Sequence, residues 1–141
     1  MSWEEDIKMP TVADSMRREI KKVSHTTPVT EAASKMSAEK VGSLFVEKKG
    51  ELVGIVTETD VVRKAVATGA ALGNLTVEKI MSSQIATIES YRSNGDASDM
   101  MSDLGVRHLG VTENGKIVGI ISVRDLLVAT QRISEPKITQ D

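Results

Sequence analysis

The stretch GIVTETD at residues 54–60 returns as GIISVRD at residues 119–125. The same offset of 65 aligns residues 12–66 with the later part of the chain, without an insertion. Fourteen positions are identical across it, among them Val12/Val77, Met16/Met81, Ile20/Ile85, Met36/Met101, Gly54/Gly119 and Asp60/Asp125. Leu52/Ile117 and Thr57/Ser122 are conservative. No other feature constrains the fold as strongly. The period is longer than that of a solenoid and there are only two copies. Two such halves are expected to pack around a pseudo-twofold axis, burying apolar surface that neither buries alone.

Each copy reads as β-α-β-β-α. A short segment ends at Met16 or Met81, and a short strand follows at 20–23 or 85–88. Pro28 and Glu31 mark the start of a helix, where proline and acids are favoured. Ala32, Ala33, Met36 and Lys40 follow at helical spacing. The second copy places this helix at 94–104, with Gly105 as its stop. SYRSNGDAS replaces a proline start, which predicts an irregular opening turn there. Hairpins follow, turning at Lys48-Lys49-Gly50 and at Glu113-Asn114-Gly115; Asn-Gly suits a turn needing positive φ. A last helix opens after Thr57 (Val61, Val62, Ala65, Val66) and after Ser122 (Leu126, Leu127, Ala129). The fold class is therefore α/β of the α+β kind, two β-α-β-β-α repeats packed through their sheets. The divisions are an extension at 1–11, repeats at 12–68 and 76–132, a linker at 69–75 and a tail at 133–141. The tail, with little to bury, is expected to be mobile.

Composition excludes several function classes. There is no cysteine, so disulfides and thiolate metal sites are absent and a reducing compartment is compatible. Net charge is −2 with signs interspersed, unlike a nucleic-acid surface. The one basic cluster, Arg17, Arg18, Lys21 and Lys22, reads as a solvated surface. The start MSWEEDIKMPTV lacks the apolar core of a signal peptide, and no apolar run suits a membrane span. The expectation is a soluble, cytoplasmic protein without membrane or nucleic-acid partners. Trp3, Phe45 and Tyr91 are the only aromatics, so base-stacking platforms are nearly absent. His25 and His108 lack partners at metal-ligand spacing, and no nucleophile–base set or phosphate-binding glycine loop occurs. The chain is read as neither metalloprotein nor enzyme.

Two β-α-β-β-α units, each closing with Gly, two apolar residues, Ser/Thr and then Asp three places on, resemble a tandem pair of cystathionine-β-synthase (CBS) domains. The resemblance rests on VADSM and VEKIM, VGSLFVEKKGELVGIVTETD, and VRHLGVTENGKIVGIISVRD, and covers residues 12–132. It implies a module that senses AMP, ADP or ATP in clefts between the two repeats and signals to a protein partner. It also implies disc-like homodimers formed through helices, where Met100 could contribute if it faces outward.

Thr57…Asp60 and Ser122…Asp125 each fit a capping box, in which hydroxyl and carboxylate satisfy early helix and cap amides. The same geometry leaves a helix N-terminus facing an anion and a carboxylate able to hold ribose hydroxyls. Carried over by position, one cleft uses Asp125 and Ser122 on the ribose and Ile120 on the base. Its base wall is Ile20 and Lys21, then Val41, Gly42 and Ser43. Arg107, His108 and Arg124 face its phosphate, for which arginine is suited. The second cleft uses Asp60, Thr57 and Ile55, walled by Ile85, Ala86, Val106 and Arg107. Thr59 stands there in place of Arg124, Gly42 and Ser43 in place of Arg107 and His108, and Glu58 adds an acid. It is therefore expected to be weaker, empty, or suited to a less charged ligand such as S-adenosylmethionine. Gly110 occupies a place the family usually gives to proline. The competing readings are a dimerisation adaptor with non-functional clefts and, least favoured, a nucleotide hydrolase.

Overall fold

The computed structural model describes residues 9–134. Most of the expected mobile tail and most of the N-terminal extension lie outside them; residues 133 and 134 of that tail end α5. The described elements are α1 (Val12–Ser15), β1 (Lys22–Ser24), α2 (Val29–Glu39), β2 (Ser43–Lys48), β3 (Glu51–Thr57), a single α turn, α3 (Glu58–Asp60), running into a π-helix (Val61–Val66), then β4 (Thr87–Glu89), α4 (Asn94–Leu104), β5 (His108–Glu113), β6 (Lys116–Ser122) and α5 (Val123–Ser134). They form two compact units: Ile20–Ile85, and Met1–Glu19 together with Ala86–Asp141.

The Ile20–Ile85 unit holds one three-stranded sheet in the order β1-β2-β3. β1 lies parallel to β2, and β2 and β3 form the expected hairpin. Its loop is Lys49-Gly50, with φ of 52° and 80°. Two successive positive φ values match the right-handed twist of the flanking strands. The core joins Val29, Ala32 and Met36 of α2 to Leu44, Val46 and Val56 of the sheet, with Ala65, Val77 and Ile80 closing it. These side chains recur every three or four residues along α2 and alternate along β2, the two periods that align residues on one face; β2 also buries Ser43 and Phe45 on its other face.

The other unit repeats this plan. β4 lies parallel to β5, and β5 pairs antiparallel with β6 through Asn114-Gly115, at φ of 53° and 77°. Ile88, Ala97, Met101, Leu109, Val111 and Ile121 form its core with Val12 from α1. Both hairpins carry a bulge at the same place, after Val46 and after Val111.

Several expectations need adjusting. The first strand of each unit starts about two residues late, because the parallel ladder begins only where Lys21 and Ala86 accept from Phe45 and Gly110. Lys40 is not on the buried stripe of α2; it ends the helix at φ 56°, as Gly105 ends α4 at φ 67°. α4 is as regular as α2, since Ser93 Oγ accepts from the Asp96 amide at 3.0 Å and caps it without a proline. Met100 does not face outward but packs against its unit's core. The helix after Thr57 is not α-helical beyond Asp60. Its wider turn, with the Ala67 amide on the Val62 carbonyl, leaves Val62 and Val66 59% and 57% exposed.

The glycine of each repeated motif has a steric cause. Residue 82 crosses β3 at Ile55, and residue 17 crosses β6 at Ile120, each with a reciprocal pair of backbone hydrogen bonds of 2.9–3.0 Å. A Cβ on Gly54 would stand 2.5 Å from Met81 Sδ and 2.6 Å from the Ser82 carbonyl. On Gly119 it would stand 2.2 Å from the Arg17 carbonyl.

Candidate functional site

In each unit an apolar strand delivers a hydroxyl residue to the start of a helix. In the Ile20–Ile85 unit, Thr57 Oγ1 accepts from the Asp60 amide at 3.2 Å, and the Thr57 amide donates to Asp60 Oδ2 at 3.0 Å. In the other unit, Ser122 Oγ accepts from the Asp125 amide at 3.2 Å, and Asp125 Oδ2 accepts from the Ser122 amide and hydroxyl at 2.9 Å each. Both capping boxes are formed. They hold two carboxylates at the first turn of a helix, Asp60 9% exposed and Asp125 with 10% of its side chain exposed.

The cap occupies Oδ2 and leaves Oδ1 for another partner. Asp125 Oδ1 accepts from Arg17 Nε at 3.3 Å. Asp60 Oδ1 pairs with Lys64 Nζ at 3.0 Å, and that ammonium also donates to the Ile80 carbonyl at 3.3 Å. The two cations are not counterparts: Lys64 is one helical turn beyond Asp60, whereas Arg17 comes from the segment crossing β6. Sequence reading missed both. The Asp60–Lys64 spacing was a readable signal for an i,i+4 pair. Arg17 had none, because the repeat aligns it with Ser82.

The predicted phosphate residues share one end of their unit. The Val123 amide donates to the Arg107 carbonyl at 3.0 Å, and His108 stands opposite Ser122 in the β5–β6 register. Arg107, His108 and Arg124 are thereby gathered at the N-terminus of α5. Arg107 and Arg124 are exposed, and their side chains bond no described residue. At the matching place in the Ile20–Ile85 unit the Glu58 amide donates to the Gly42 carbonyl, and Ser43 faces Thr57. Gly42 and Thr59 bring no charge there, and Glu58 is exposed.

The remaining predicted residues fall as follows. Ile20 and Lys21 directly precede β1, Val41 and Gly42 directly precede β2, and Ser43 opens it. Ile55 is buried on β3. Ile85 ends that unit, while Ala86, Val106 and Ile120 belong to the other. Lys21 is bound to Glu39 at 3.3 Å, and its hydrogen bond holds the Glu39 carboxyl below the usual carboxylate range.

The basic cluster lies on the surface, as expected, and each of its members is also paired. Arg17 meets Asp125, Arg18 meets Glu113, Lys21 meets Glu39 and Lys22 meets Glu47. Among the described residues no His and acid group could hold a metal ion, and no helix is long and apolar enough to cross a membrane.

Residues 12–67 and 77–132 each match the CBS domain. An uncharacterized protein of Methanopyrus kandleri is 34% identical over 119 residues, covering 83% of this chain. This chain spans only 61% of that relative's length. The CBS domain-containing protein YhcV of Bacillus subtilis is 32% identical over 120 residues, 85% of each chain. The crystal structure of an uncharacterized conserved protein from Pyrococcus horikoshii matches with a TM-score of 0.83 at 31% identity, covering 93% of this chain and 100% of that one.

Proposed function

Since the chain belongs to the CBS-domain family and carries a tandem pair of these domains, we propose that it is a regulatory, non-catalytic module that binds AMP, ADP or ATP and signals their level to a protein partner. Tandem CBS pairs are, as a family, regulatory ligand-binding modules whose usual ligands are adenosyl compounds. The observation that carries the nucleotide reading is the duplicated carboxylate. Asp60 and Asp125 are each nearly buried at a helix start, with one oxygen spent on the cap and the other turned to a cation. Such an oxygen can accept from a ribose hydroxyl in exchange for that cation.

The phosphate preference rests on Arg107, His108 and Arg124 beside Asp125. Arginine binds phosphate with two parallel hydrogen bonds, and the α5 N-terminus adds favourable dipole charge. Asp60 lacks this company, so its half-site suits a weaker or less anionic adenosyl ligand, S-adenosylmethionine among them. Signalling follows if the ligand binds one arrangement of the protein better than another. Exposed Val62 and Val66 on one unit, and exposed Leu127 on the other, support contact with a second copy or a partner. A cytoplasmic location accords with the absence of cysteine.

Calorimetric titration with AMP, ADP, ATP and S-adenosylmethionine tests the reading on the wild type, Asp125→Ala and Asp60→Ala. Micromolar AMP binding that weakens at least tenfold in Asp125→Ala and less than twofold in Asp60→Ala is expected. No heat and no melting shift with any ligand would leave the adaptor reading. Conversion of ATP during the titration would revive the hydrolase.

A further inference from the structure

The geometry points to Arg17 as a specificity-determining residue that makes the Asp125 site prefer phosphorylated over unphosphorylated nucleosides. This rests on the nucleotide reading above and goes beyond it. Asp125 Oδ2 already accepts two hydrogen bonds from Ser122, so Oδ1 is the oxygen left for a sugar hydroxyl, and Oδ1 carries Arg17. A ligand that uses Asp125 must share or displace this guanidinium.

The cost of that displacement depends on the ligand's charge. A neutral nucleoside takes Oδ1 and offers the guanidinium nothing in return. A phosphorylated nucleoside brings a dianion to the same end of the unit, where Arg107 and Arg124 already gather. The released guanidinium then stays in an attractive field. The backbone of Arg17 is held in place. Its amide and carbonyl both bond Ile120, and the bare Gly119 lets its backbone seat directly on β6. With 44% of its side chain exposed, it has room to move its head group while the backbone stays fixed. The Asp60 unit lacks the device, since Ser82 holds the corresponding place and Lys64 sits on its own helix.

The test is titration of adenosine and AMP into the wild type, Arg17→Ala, Arg17→Gln and Arg17→Lys. A half-exposed ion pair is weak, so the effects are modest but opposed. Arg17→Ala should bind adenosine about threefold tighter and AMP about threefold weaker, cutting the AMP preference roughly tenfold. Arg17→Gln should follow Arg17→Ala, and Arg17→Lys, which keeps the charge, should retain most of the preference. All three keep the backbone bonds to Ile120, and an unchanged melting curve checks their fold. An unaltered preference, or both ligands weakening together, overturns the role of Arg17. In that case wild-type AMP binding lost in Asp125→Ala leaves the nucleotide reading standing. No binding of either compound to the wild type overturns both.

Discussion

The two units are built on one plan and differ in what meets their carboxylates. In the Ile20–Ile85 unit a lysine one turn along the same helix neutralises Asp60, and a π-helix follows. In the other, an arginine from the crossing segment neutralises Asp125, and a regular 12-residue α-helix follows. Two exposed arginines, Arg107 and Arg124, lie at the same end of the unit as Asp125, while glycine and threonine hold their places in the other unit. Both units form the capping box, because a hydroxyl and an acid three residues apart suffice for it. The surroundings diverged, because each neighbour is set by a separate residue that can change without disturbing the cap.

The largest effect should come from the crossing segments. Gly119→Ala forces a Cβ to 2.2 Å from a backbone carbonyl, whereas Gly54→Ala meets the thioether of Met81 as well as a carbonyl at 2.6 Å. Overpacking of this kind costs about 1–3 kcal/mol, with Gly119→Ala at the upper end and Gly54→Ala about 1 kcal/mol milder. Urea unfolding measures both. Equal or reversed costs would break the steric distinction between the units.

The caps give a smaller contrast. Ser122 exchanges hydrogen bonds with Asp125 in both directions, while Thr57 Oγ1 accepts one. Ser122→Ala should cost about 1.5 kcal/mol and Thr57→Ala about 1 kcal/mol. A larger loss in Thr57→Ala would show that the second hydroxyl bond contributes nothing.

The weakest test uses acid. Hydrogen bonding from Arg18, and next from Ser90, holds the Glu113 carboxyl below its ordinary range in the folded protein. A depressed carboxylate stabilises the fold above its unfolded value, and that stability disappears as pH falls through the folded value. Lys21 does the same to Glu39 in the other unit. Melting curves from neutral to acid pH should therefore show a slightly smaller loss for Glu113→Gln than for the wild type. A steeper acid loss in the variant would contradict the pairing with Arg18.

Much of this was legible locally. The Asn114-Gly115 turn, the 11-residue extent of α4 and both capping boxes depend on residues within a few positions of one another, and the repeat shows on sliding the chain by 65. That Gly42 and Thr59 bring no charge to the Asp60 end was also readable, because it follows from residue identity alone. The π-helix after Asp60 was not legible, since its valines satisfy an α-helical spacing equally well. Nor was Lys40 as a helix end, because glycine and not lysine is the usual sign of a left-handed terminus.

By itself, then, the sequence determined two β-α-β-β-α copies and a carboxylate at the same helical turn in each. Tertiary structure alone decided that α1 and Arg17 complete the unit containing Asp125, and that residue 82 completes the unit containing Asp60. The bond from Arg17 to Asp125 joins positions 108 apart. No periodicity or turn chemistry reaches that far. Such a pair is chosen by which backbone edge a passing segment can bond, and by the missing side chain of Gly119 that lets it come close.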